Sequence, residues 1–272
     1  MAFIRQACRT IGIIAIAGLV AGTTLTAQQA PATGNPAFVP TVGQAGKDVV
    51  WVPTPEILVE KMLDLGKVTS QDFVMDLGSG DGRNIIAAAK RGARAVGVEY
   101  NPDMVALSQR LAKEAGVSDK ATFIQGDMYE ADISKATVMA LFLLPSNMLK
   151  LRDKFADLKP GSRIVSNTFT IEDWTPESEI AVEGDCSAWC RALLYIVPAK
   201  VGGTWRTGDG ELTISQTYQT VTAILKTGTQ STELRGKMVG EEIRLSGGGR
   251  DLVGRVNGNK IDGQGWSATK VG

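Results

Sequence analysis

Asp76-Leu77-Gly78-Ser79-Gly80-Asp81-Gly82 sets glycines at alternate positions behind a carboxylate. Glycines so placed admit a ligand close to the backbone, and a helix beginning after them offers free N–H groups. A dinucleotide-binding turn would carry a further glycine where Arg83 stands. The carboxylate of Asp76 suits a ligand bearing an ammonium group and repels a pyrophosphate. Glu99, closing the next apolar run, is placed to accept both hydroxyls of a ribose. Asp127, after the third run, is placed to accept from an adenine amino group, with the Met128 N–H alongside. Each residue also has a plain structural reading: Gly80 and Gly82 as a tight turn, Asp81 as a helix cap, Glu99 as a surface residue, Asp127 as the cap of the turn after it. In this order and spacing, together, they point to a nucleoside with a cationic tail.

Such a site needs strands that end at a common edge. Thr54-Pro55-Glu56 has the form of a helix start, with Thr54 as cap and Pro55 in the first helical position, and the helix runs to Leu65. Strand and helix signals then alternate. Strands are expected at Phe73 to Leu77, Ala95 to Val98, Ala121 to Gln125, Thr137 to Leu144 and Ser162 to Phe169, with helices at Arg83 to Arg91, Pro102 to Ala115 and Asn147 to Leu158. The unbroken apolar run from Thr137 marks a central strand covered on both faces. Glu179 to Glu183 and Arg191 to Val197 are expected as an antiparallel pair closing the sheet. The fold class is therefore α/β, a doubly wound and mostly parallel seven-strand sheet of Rossmann-like form. From Gly202 the composition turns to Gly and Thr, with short alternating stretches between turns such as Asn257-Gly258-Asn259. This predicts a small all-β antiparallel meander or barrel. The expected domains are 1–27, 28–48 as a flexible linker, 49–199 and 200–272.

Val74 to Arg83, then Val96-Gly97-Val98-Glu99, then Gly126-Asp127, resemble a class I S-adenosylmethionine (SAM)-dependent methyltransferase. Val52-Pro53-Thr54-Pro55, the Ala136 to Leu144 stretch, and Lys159 to Ser166 with Trp174 after it narrow the resemblance to the small archaeal and mitochondrial protein-lysine methyltransferases. It covers about residues 48 to 198. The resemblance implies SAM as methyl donor, with no metal. Asp76, Gly78 and Gly80 would line its methionine part, Thr54 would touch its carboxylate, and Ser79 and Tyr100 are further cofactor-binding candidates. Glu99 would hold the ribose, and Asp127, with Met128 alongside, the adenine. Leu143, Leu144 and Pro145 stand where the methyl acceptor enters. Asn167 departs from the family pattern, and no general base is assigned.

Lysine plus arginine balances aspartate plus glutamate, 29 against 29, so nothing in the bulk charge favours nucleic acid as a partner. Histidine is absent, which excludes histidine bases, Ser-His-Asp triads and histidine-bound metals. Arg5 and Arg9 precede an apolar stretch from Ile11 to Val20 and small residues up to Ala27. This is the pattern of an export signal, read as cleaved, with an uncleaved anchor as the alternative; after cleavage no stable membrane insertion is expected. In an exported chain Cys186 and Cys190 are disulfide candidates, against a plain reading as two free thiols. Two function classes follow. One is a SAM-dependent methyltransferase acting on an acceptor such as a protein lysine amine. The other is an exported non-catalytic protein of the same fold whose C-terminal β domain binds a partner.

Overall fold

The computed structural model describes residues 38–184 and 186–271. The export-signal segment lies outside them, as does the first part of the expected linker.

Helices α1 (Glu56–Leu65), α2 (Arg83–Lys90), α3 (Pro102–Glu114) and α4 (Pro145–Ala156) alternate with parallel strands β1 (Phe73–Leu77), β2 (Arg94–Glu99), β3 (Ala121–Gln125), β4 (Val138–Leu141) and β5 (Arg163–Asn167). Strands β6 (Ser178–Ala181) and β7 (Arg191–Ile196) complete a sheet of order β3-β2-β1-β4-β5-β7-β6. β7 runs antiparallel to β5, and β6 antiparallel to β7. All four residues of β4 are buried, because apolar layers cover both faces of the sheet. The order turns between β1 and β4, so crossovers leave in both directions and open a crevice at the carboxyl edge.

Local signals set the helix ends with one correction. Asn101 caps α3 by accepting the N–H of Asp103 at 2.9 Å, with Pro102 next. In α1, however, Pro55 rather than Thr54 is the capping residue, and no side chain caps it. The Thr54 side chain is turned inward instead, where its Oγ1 accepts from Asn167 at 3.3 Å. At the opposite edge of the sheet, buried Asp72 accepts from the Thr69 N–H and the Thr137 hydroxyl, both at 2.8 Å, and pairs with Arg163. Burial alone would raise its carboxyl; the donors outweigh that and hold it below the usual range.

Strands β8 (Gly203–Thr207), β9 (Glu211–Thr217), β10 (Thr220–Thr227), β11 (Gln230–Val239), β12 (Glu242–Gly247), β13 (Arg250–Asn257), β14 (Lys260–Gly263) and β15 (Trp266–Lys270) form a closed antiparallel barrel. Closure comes from β15 pairing with β8. Side chains alternate along each strand, and the inward set, including Trp205, Val221, Ala223, Leu225, Leu234 and Ile243, fills the interior. The barrel is tied to the sheet domain. Tyr218 stacks on Trp174 with centroids 5.2 Å apart, Gln219 donates to the Thr175 carbonyl at 2.9 Å, and Lys237 pairs with Glu177 at 2.8 Å.

Residues 38–48 differ from a flexible linker. Ala45 and Val50 form a bridge, the Gly43 N–H donates to the Trp51 carbonyl at 2.8 Å, and the Trp51 N–H donates to Gln44 at 2.9 Å. The resulting flap, Gln44 to Val52, lies over the crevice.

Candidate active site

The turn after β1 is left-handed at Gly78, Gly80 and Gly82, with φ +70°, +56° and +81°. Close packing adds a second reason for glycine. A Cβ at Gly80 would lie 2.6 Å from the indole nitrogen of Trp51, and one at Gly82 would lie 2.5 Å from the Phe123 ring. Glu99 staples this turn to the end of β2. Its Oε2 accepts the Gly80 N–H and its Oε1 the Asn101 N–H, both at 2.9 Å, which leaves a lone pair on each oxygen.

Behind the turn lies a layer of buried polar atoms. Asp76 Oδ2 accepts from Asn84 at 3.0 Å, while Asp76 Oδ1 has no partner. Burial pushes this carboxyl well up; the Asn84 bond opposes the shift, and the negative charges of Glu99 and Asp81 add to it. Ser79 Oγ, Asn84 Oδ1, Asn167 Oδ1 and Thr168 Oγ1 are also buried without partners. Arg83, which replaces a fingerprint glycine, turns aside to pair with Asp81 and donates to the Thr54 carbonyl at 2.6 Å. Asp81 therefore holds Arg83, and α2 is preceded by Gly82 without a side-chain cap.

A cavity of about 240 Å³ runs along the carboxyl edge of the sheet. Gly78, Glu99, Tyr100, Asp127, Met128, Leu143 and Leu144 line it together. Thr54, Asp76, Ser79 and Gly80 stand outside that lining, and so does Pro145, the first residue of α4. Asp127 accepts the Tyr129 N–H at 2.9 Å and pairs with Lys47 of the flap, whose ammonium sits 5.0 Å from the Tyr100 ring centroid. The Lys47 bond, with the Tyr129 N–H, holds the Asp127 carboxyl below its usual range. Sequence reasoning missed the flap, Met104 and three aromatic residues, Phe142, Phe169 and Trp189, which also line the cavity. Trp189 sits between Cys186 and Cys190, which are joined as a disulfide. An aromatic residue inside a short cysteine loop was the available signal.

The donor set fits SAM. Asp76 keeps one buried oxygen without a partner behind the glycine turn, Glu99 keeps a free lone pair on each oxygen, and Asp127 and Met128 line the cavity, a set that could take the cationic, ribose and adenine parts of SAM. Among the described residues no group of three or more acidic, cysteine or histidine side chains is placed to hold a metal.

Residues 76–178 match the family model of the ANTKMT methyltransferase domain. A protein-lysine N-methyltransferase of Saccharolobus islandicus is 44% identical over 152 residues, which is 55% of this chain and 94% of that protein. This chain belongs to the protein-lysine methyltransferase family. Another member, a human ATP synthase lysine N-methyltransferase, is 35% identical over 177 residues, covering 64% of this methyltransferase and 72% of the relative. A crystal structure of an RNA methyltransferase from Salinibacter ruber with bound S-adenosylhomocysteine is 45% identical, with a TM-score of 0.51 over 55% of this chain and 96% of that one. The methyl donor of this methyltransferase is SAM. The matched family segment ends before β8, so the barrel is an addition to the shared domain.

Proposed function

We propose that this methyltransferase transfers the methyl group of SAM to the side-chain amine of a protein lysine. The observation that carries the reading is the cavity's change of character along its length. Carboxylates mark the nucleoside end at Glu99 and Asp127, whereas Phe142, Leu143, Leu144, Phe169 and Trp189 wall the other. An apolar passage suits a long alkyl side chain, and by stripping water from the amine it favours the neutral, nucleophilic form. Bound SAM supplies an electrophilic methyl group. The amine lone pair forms the new N–C bond, the electrons of the C–S bond return to sulfur, and the proton leaves to solvent. What the chain contributes is alignment and exclusion of water. The names of the relatives above support lysine as acceptor. The balance of 29 basic and 29 acidic residues weighs against RNA, whose backbone demands a basic surface.

A non-catalytic binding role is the second class. Against a SAM-free form of it stands Asp76, whose unpartnered buried oxygen costs stability that a chain without SAM would have no reason to bear. Export through residues 1–27 belongs to the same proposal, and the acceptor is then an envelope or extracellular protein. A reporter fused after residue 40 should reach the exported compartment; retention in the cytosol refutes the export reading.

Labelled SAM and the full chain, incubated with cell-envelope protein of the source organism, test the acceptor class. Label is expected on lysines, located by peptide mass spectrometry and insensitive to ribonuclease. Label on RNA, or on neither, overturns the reading.

A further inference from the structure

Three aromatic rings converge where the acceptor enters, from three different elements. Phe142 follows β4 and Phe169 follows β5, both at the carboxyl edge. β7 runs antiparallel to β5, with Ala192 opposite Asn167, so the Cys186–Cys190 loop before it arrives at that same edge. Phe142 and Phe169 lie nearly parallel, with centroids 6.0 Å apart and planes at 14°. Trp189 stands 6.0 Å from Phe142, tilted by 59°. None of the three is part of the buried core, and all three line the cavity that reaches Glu99.

Trp189 is placed at some cost. Its backbone is left-handed, φ +53°, which side chains with a Cβ rarely adopt and which persists only where the surroundings over-determine it. Here the ring closed by the disulfide does so. The indole is also 42% exposed, so burial of apolar surface does not explain its position. A ring held out of the core, in a strained loop, at the mouth of a cavity, fits a contact made with a ligand.

We propose that Phe142, Phe169 and Trp189 form an aromatic port that holds the alkylammonium head of the methylated product through cation–π contact, with the Cys186–Cys190 bond holding Trp189 in place. The chemistry requires such a surface. Methyl transfer from a sulfonium to an amine moves a positive charge from sulfur to nitrogen, and the faces of aromatic rings attract that charge without the hydration that a carboxylate would bring. Further methyl groups strip water from the product and strengthen the contact. The port rests on the lysine-amine reading above and adds to it a site for the methylated product.

Calorimetry on the full chain saturated with S-adenosylhomocysteine tests the port directly. The probes are a short peptide carrying Nε-trimethyl-lysine and the same peptide with a neutral tert-butyl isostere. The cationic peptide is expected to bind about fivefold or more tightly than the isostere, a preference of the size cation–π contacts give. Trp189→Ala should abolish the preference, Trp189→Phe should restore most of it, and both should keep SAM affinity within about twofold. Joint replacement Cys186→Ser and Cys190→Ser should reduce it. Equal binding of the two peptides, no binding of the cationic peptide, or a preference that survives Trp189→Ala overturns the port. Turnover on an unmethylated lysine peptide separates the two readings. If the wild type methylates it yet shows no cation preference, the port fails and the lysine reading stands. A preference without any methyl transfer leaves the port and removes the lysine reading.

Discussion

Lys47 and Asp127, eighty positions apart in sequence, form an ion pair that ties the flap to the end of the cavity beside β3. Asp127 is the residue whose place after β3 suits an adenine amino group, and it already meets a cation and the Tyr129 N–H. Both oxygens keep lone pairs, so adenine adds a donor to Asp127 rather than replacing one.

Lys47→Met should loosen the flap without emptying the site. Amide hydrogens of residues 43 to 51 are expected to exchange faster, while SAM affinity falls by no more than about fivefold, since exposed pairs contribute little. Unchanged exchange in that segment contradicts the role given to the pair.

Asp76 makes the ligand-free protein sensitive to pH. Its folded-state carboxyl is raised, so the folded chain keeps a proton that the unfolded chain releases. That contribution is fully present below the ordinary carboxylate range and is lost as pH rises from there through the raised value. Asp76→Asn should remove the slope and raise the melting temperature of the ligand-free protein at neutral pH by about 2–6 °C. It should also abolish the upward shift that SAM gives the wild type. A variant that melts lower, or still responds to SAM, refutes this account of the buried oxygen.

Glu99 holds the turn, and the proposed site gives it the ribose as well. An amide cannot accept at both positions as the carboxylate does. Glu99→Gln is expected to raise the dissociation constant for SAM by about 10- to 100-fold, the scale of one or two charge-assisted hydrogen bonds. Competition with S-adenosylhomocysteine measures it, and a change within about threefold speaks against ribose recognition there.

The centre of the sheet was legible because its strands are mainly apolar runs between turn residues, and β4 shows no polar break at all. The turn from Asp76 to Gly82 was legible because its glycines serve a local geometry. The flap was not. Gln44 to Val52 has no periodicity, and what orders it is distant in sequence: Met104 near Gln44, Asp127 at Lys47, Gly80 under Trp51. Strands β8 and β15 are hard to read from sequence for a similar reason. Each buries a single residue, Trp205 or Ala268, so alternation is too short to read, yet their pairing closes the barrel. Phe142, Phe169 and Trp189 come from separate segments that only the sheet order brings together.

The barrel should unfold with the sheet domain rather than alone. Tyr218 stacks on Trp174, and its hydroxyl lies 3.3 Å from Asp153. Tyr218→Ala is expected to lower stability by about 1–2 kcal/mol while preserving a single denaturant transition. Two transitions in the wild type would show that the docking contacts do not couple the domains.

The central claim is that Asp76, Glu99 and Asp127 together form a SAM site. Isothermal titration of the full chain with SAM, beside Asp76→Asn, tests it most directly. One site per chain in the micromolar range, about 1 μM to 1 mM as enzymes hold their substrates, with no heat from the variant, is the predicted result. Absence of binding to the wild type at millimolar SAM, or equal binding by the variant, contradicts the account.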